Sequence, residues 1–242
     1  MKLLPVILSL LPLALAAEES YRVFMDEQAD AEHIRRVVQS HIGSGPEVKC
    51  EYITLPAACN TPEQARTQAR AIECGITGIP VLVITDEQGP FATLPLRDLT
   101  AEKLQEARAN KDTSGRREDA QKHRFHAHLF LTMAQLTIAT PDDQTLATCI
   151  AECRALLQHP QATADLRQLI GLRMLYPALM EQYKRGYRQG VAHNPATEAK
   201  LLEAIAALEA ARDINADTPL GRQAFAERER LRAARRKSRQ YE

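Results

Sequence analysis

Tryptophan is missing from this 242-residue chain, and only 5% of its residues are aromatic. A core built from it must rest on Leu, Ile, Val and Ala. A net charge of either sign is missing too: 31 basic side chains face 31 acidic ones. That balance gives no whole-molecule case for binding nucleic acid or an anionic membrane. No C-x-x-C, C-x-x-C-H or HExxH motif occurs, and there is no Gly-rich phosphate loop, GxSxG elbow or paired-carboxylate signature. No apolar run beyond the first residues is long enough to span a bilayer, which takes about 20 residues. What is present is ordinary for a globular protein: 45% apolar and 26% charged residues. The length suits one or two domains with a sizeable core.

Residues Met1 to Ala16 read as a leader. Lys2 supplies a positive start, Leu3 to Leu15 an apolar run, and Ala14-Leu15-Ala16 an A-x-A cleavage site before the polar Ala17-Glu18-Glu19-Ser20. This is the pattern of a secretory signal peptide. The expectation is an exported protein, periplasmic or extracellular, with no transmembrane span. Export bears on the five cysteines, Cys50, Cys59, Cys74, Cys149 and Cys153, because the compartment permits disulfides. Five is odd, so at least one thiol is unpaired or pairs between chains.

The chain from Tyr21 alternates strand and helix. Tyr21–Met25 is β-prone. Ala31, Ile34, Val37, Val38 and Ile42 recur at helical spacing until Gly43-Ser44-Gly45-Pro46. Val48–Leu55 reads as a strand. Thr61 and Pro62 then open a helix as N-cap and first helical residue, and Gly75 closes it. Pro80–Ile84 is a buried strand by composition. Asp86–Pro90 is a turn, Phe91–Leu94 a return strand, and Thr100 caps a helix to about Ala109. A strand-helix-strand start predicts a parallel pair with a right-handed crossover, and the short turn predicts an antiparallel hairpin.

That order, with Gly75-Ile76-Thr77-Gly78-Ile79-Pro80-Val81-Leu82-Val83-Ile84 at the third strand, resembles the thioredoxin fold. Val23-Phe24-Met25-Asp26 is similar to the first strand of periplasmic thiol-disulfide oxidoreductases of that family. The resemblance covers about Tyr21 to Ala109. It implies a cis proline at Pro80, lying beside the start of the first helix, and a surface at Thr77, Ile79 and Pro80 that holds extended peptides. The chain departs from the family at one decisive place. Where the family opens its first helix with C-x-x-C, this chain has Ala29-Asp30-Ala31-Glu32. Asp30 and Glu32 there read as a cap and a first-turn acid, so the family's dithiol chemistry lacks its usual seat.

Lys111–Ser114 is a polar linker, and nearly everything after it reads helical: Gly115–Ala139, Pro141–Gln158, Thr163–Gln189, Pro195–Ile214 and Thr218 to about Arg239. Ala204, Leu208 and Ala211, before Asp213-Ile214-Asn215-Ala216-Asp217, resemble the second helix of a tetratricopeptide repeat. The first-helix pattern of that repeat is not there, and Ala216 stands where the family usually carries Pro. The fold expected is an α/β thioredoxin-like domain (17–110, a small mixed sheet flanked by helices) followed by an all-α bundle or short repeat domain (111–242). Charge divides at the same boundary. Residues 17–110 carry nine basic and fifteen acidic side chains, and residues 111–242 carry 21 and 16. The halves can attract each other, and a basic helical half can seek an acidic partner.

Other chemistry-bearing residues have plain readings beside functional ones. Cys59 and Cys74 are the candidate catalytic thiols, both placed towards the Pro80 end of the sheet. Bridging them needs Cα atoms within about 7 Å, against an intervening helix about 18 Å long; Cys50–Cys59 is a second pairing. Cys149 and Cys153 share a helix face with Leu146 and Ile150 and read as core. His123 and His126 share a face, His128 does not, and no spacing completes four zinc ligands; neither metal nor cofactor is expected. Eight basic residues from Arg222 to Arg239 face either an acidic partner or solvent.

Three functions follow. The first is a non-catalytic binding or scaffolding protein of the cell envelope, holding a protein or peptide on its helical domain and the Pro80 face. The second is a divergent thiol-disulfide oxidoreductase using Cys59 or Cys74. The third is a helical-repeat adaptor capped by the first domain.

Overall fold

The structure, a computed structural model, describes residues 19–45, 48–111, 115–138, 140–188 and 195–239. The leader expected over residues 1–16 and the linker residues 112–114 lie outside the described residues.

Strand β1 (Ser20–Asp26) leads into helix α1 (Ala31–Ile42), strand β2 (Lys49–Leu55), helix α2 (Pro62–Glu73), the hairpin β3 (Val81–Asp86) and β4 (Gly89–Pro95), and helix α3 (Ala101–Ala109). The four strands form one mixed sheet in the order β2-β1-β3-β4. β1 runs parallel to β2, with Phe24 opposite Ile53. β3 runs antiparallel to both β1 and β4.

Side-chain alternation along the strands splits the apolar residues between two faces. Val23, Leu82 and Ile84 pack with Ile34 and Val38 of α1 and Leu104 of α3. Phe24, Ile53, Val81 and Val83 pack with Ala71 and Cys74 of α2. Each fully buried side chain of this kind stabilises the fold by about 1.5–3 kcal/mol. The caps are those the sequence specifies. Asp30 accepts from the His33 amide. Thr61 and Gln64 form a reciprocal capping box with Pro62 at the helix start.

The remainder of the described chain is helical: α4 (Arg116–Thr137), α5 (Asp143–Gln158), α6 (Ala164–Ile170), α7 (Tyr176–Arg188), α8 (Pro195–Ile214) and α9 (Pro219–Arg239). One broad cluster joins α4 to α8, with Phe125, Leu146, Ile150, Leu156, Ile170 and Met174 among its members, and a smaller one, with Leu172, Leu208 and Ala224, holds α9. The helix anticipated over Thr163–Gln189 is interrupted. A π-helical turn at Gly171–Leu175 separates α6 from α7. Pro177 supplies the reason: it has no N–H for the Arg173 carbonyl, and its ring needs the helix to widen.

Gln168, 1% exposed, ties three helices together. Its amide donates to the Ala211 and Asn215 carbonyls at 2.9 and 2.6 Å, satisfying the end of α8. Thr218 at the start of α9 donates to the Gln168 carbonyl oxygen at 2.7 Å. Among the described residues no helix is long and apolar enough to cross a membrane.

Candidate functional site

The segment between α2 and β3 carries the residues singled out from the sequence. α2 ends at Glu73 with Cys74 as its C-cap, and Gly75 takes φ +67°, the left-handed conformation that glycine adopts without steric cost. The Ile76 amide then reaches back to the Ala71 carbonyl at 3.1 Å, and Ile76 packs under α2. Beyond it Thr77, Gly78, Ile79 and Pro80 are exposed, Ile79 at 38%. The Ile79–Pro80 peptide is cis, and the Pro80 carbonyl accepts from the Leu96 amide at 3.2 Å.

The pairing of Phe24 with Val81 sets Pro80 at the sheet end where β1 and β2 both finish. The loops 26–30 and 56–61 therefore open at that end as well. Asp26, Glu27 and Asp30 are exposed there, giving this end an acidic rim around an apolar Ile79. Asp30 caps α1 and Glu32 is an acid of its first turn, as read from the sequence; Glu32 also pairs with Arg35 at 3.2 Å.

Cys59 lies in loop 56–61, half-buried, at the same end of the sheet. Cys74 does not join it. It is 4% exposed in the layer beneath α2, with the Arg22 guanidinium 3.9 Å from Sγ. Arg22 opposes Val83 well inside the sheet. The placement of both thiols towards the Pro80 end therefore holds for Cys59 only: Cys74 faces inward because α2 turns its C-cap residue onto the sheet. Burial pushes the Cys74 thiol up, and the Arg22 hydrogen bond and charge offset only part of that. Burial also raises Cys59 and Cys50. All five cysteines are unbridged.

Cys149 and Cys153 are both 0% exposed, and burial carries the Cys153 thiol up to about 12. They are core side chains. Among the described residues no group of three or more His, Cys, Asp or Glu side chains converges to hold a metal ion. The α4 histidines separate into different tasks. His128 shares the Glu152 carboxylate with Thr132, at 3.0 and 2.9 Å. Burial, then Lys122 and His123, lowers His126. His123 lies directly on Gly75, where a Cβ would stand 2.4 Å from its Cε1 atom.

The cations of α9 are largely engaged within the chain. Arg228 donates to Glu229 at 2.7 Å, Arg235 pairs with Glu198 and Arg232 with Glu209.

The junction between the sheet and the helices was not visible in the sequence. Arg116 opens α4 and is pinned on the β3–β4 turn. Its guanidinium pairs with both Asp86 carboxylate oxygens, donates to the Gly89 carbonyl at 2.7 Å and lies over the Phe91 ring at 5.1 Å. Its side chain is 9% exposed and that of Asp86 5%. The hydrogen bonds from Arg116, ahead of a smaller burial effect, hold the Asp86 carboxyl below its ordinary range. Farther along, Ala65 of α2 meets Leu131 and Ala134 of α4 around a cavity of about 340 Å³. A groove of about 670 Å³ lies beyond, between the end of α4, the start of α5 and α7. No motif announces either feature.

No protein-family model, curated protein or solved structure matches the chain.

Proposed function

We propose that this chain is an exported, non-catalytic binding module, built on a redox-inactive thioredoxin-like domain and a helical domain. The observation that carries the reading is the pairing of idle thiols with an exposed Pro80 end. Burial raises every cysteine, whereas dithiol chemistry needs a thiolate of depressed pKa. The helix start that would depress one carries Asp30 and Glu32 instead. Thr77, Ile79 and Pro80 nonetheless remain open to solvent. The sheet order, with one parallel pair and Pro80 leading into β3, supports the thioredoxin-like assignment. The leader-like first sixteen residues support export.

The occupant of this end is an extended protein or peptide segment, with an apolar residue against Ile79 and basic ones near Asp26, Glu27 and Asp30. The test uses the full chain against a displayed peptide library, alongside insulin-disulfide reduction. Selected peptides should lose at least tenfold in affinity when Ile79→Asp is introduced, and insulin should not be reduced above background. Reduction that disappears with Cys59→Ser would overturn the reading in favour of an oxidoreductase.

A further inference from the structure

The groove between α4, α5 and α7 has a built floor and an uncompensated charge pattern. Leu146, Met174 and Ala178 form its base and are 1%, 1% and 3% exposed. Leu136, Ile138 and Pro177 extend the apolar wall. Arg185 fixes the corner where α5 begins. It donates to the Pro141 carbonyl at 2.7 Å and to Asp143 at 2.8 Å, so the groove does not depend on a ligand for its shape.

Arg173, Pro177, Glu181 and Lys184 recur at helical spacing and all line the groove. Glu181, the one carboxylate in the lining, is held by Arg185 at 3.1 Å. Arg173 and Lys184 are exposed, and neither meets a carboxylate among the described residues. Arg173 instead donates to the Gln223 side-chain amide at 2.9 Å. Eleven residues separate the two cations, about 16 Å along the helix at 1.5 Å per residue. The groove is therefore a mixed trough, apolar along Leu136, Ile138 and Pro177, with a free positive charge towards each end.

We propose that this groove binds an extended segment of a partner protein, apolar in the middle and carrying a carboxylate at each end. Charge complementarity selects the acids, and the accessible wall of Leu136, Ile138 and Pro177 selects the apolar centre. An extended strand at about 3.3 Å per residue spans the two cations when its acids are five residues apart. The inference rests on the reading of the chain as a binding module but uses a surface remote from Pro80.

The test is isothermal calorimetry of the full chain with the capped hexapeptide Glu-Leu-Thr-Val-Leu-Glu and with its Lys-ended counterpart. The acidic peptide should bind at least tenfold tighter than the basic one, and more weakly as salt rises. Both cations are exposed, so the double variant Arg173→Glu, Lys184→Glu leaves the fold intact and should reverse the preference. Equal affinity for the two peptides, no binding at millimolar peptide, or a preference the double variant leaves unchanged would overturn the proposal. So would a dimer in sedimentation that the double variant dissociates, since the occupant would then be a second copy. If the groove peptide fails while Ile79-sensitive peptides still bind, the binding-module reading stands without this groove; if both fail, the reading falls too.

Discussion

Around the sheet, apolar side chains lie in two thin layers, one under α1 and α3 and one under α2, whereas α4 to α8 share a single broad cluster. The layer under α2 is the thinner one and is finished with small residues. Ala71 and Cys74 face the strands, while Ala65, 2% exposed, faces α4. With small side chains on both sides, α2 can be sandwiched closely, but it cannot cover the sheet alone. α4 completes it, lying on α2 and clasping the β3–β4 turn through Arg116. The helical half needs no such help, because its cluster closes on itself and Gln168 satisfies the end of α8 from within. The linear change at residue 111 is thus a change of composition and charge, while the physical seam runs along α4.

The comparison breaks most severely if the chain is cut. A protein ending at Lys111 lacks the cover over Ala65 and the Arg116 anchor, and it is expected to show no cooperative thermal transition. A sharp transition in that fragment would mean that the sheet half is complete alone.

Arg116→Ala should come next, at about 3 kcal/mol of lost stability, because it leaves the nearly closed Asp86 carboxylate with only the Gln88 amide and the Lys111 ammonium 4.0 Å away. The same pair predicts a pH dependence. The Asp86 carboxyl is held below its ordinary value of 3.8. Its contribution is therefore intact above about pH 4 and disappears as pH falls through the lowered native value. Chemical denaturation between pH 2 and 7 should show a larger loss in the wild type than in Asp86→Asn.

Gln168→Leu should cost about 2 kcal/mol through the abandoned carbonyls. Hydrogen exchange should place that loss in α8 and α9 and leave the strands protected. Exchange that accelerates in β1 would mean the halves unfold as one.

The seam carries an effect of similar size, made of two separable parts. Gly75→Ala should cost about 1–2 kcal/mol from the left-handed backbone, with an addition from the His123 ring. In a double-mutant cycle with His123→Ala, the added part should vanish and the backbone part remain.

Local signals wrote most of the fold legibly. Thr61-Pro62 with Gln64, Asp30 before α1, and Gly75 after α2 each act within a few residues, and each element begins or ends where they stand. The Pro80 segment was legible for the same reason. The inward turn of Cys74 was not, because it depends on how α2 lies across the sheet. The Arg116–Asp86 clasp joins residues 30 apart, and the groove gathers side chains from three helices. Such features follow from packing, which leaves no period or motif in the chain. The interruption before Pro177 follows from proline's missing N–H, while the apolar spacing runs on across it.

The thiols of the two halves offer the most direct test. Each cysteine in the native chain can be followed separately by alkylation with mass spectrometry across a pH series. A redox-inactive sheet predicts that Cys50, Cys59 and Cys74 approach half-maximal reactivity only above pH 9, their ordinary value being 9.0 and burial raising each. Cys149 and Cys153 should react only on unfolding. Half-maximal alkylation of any sheet-half cysteine below pH 8 would contradict it, revealing an activated thiol and a catalytic sheet.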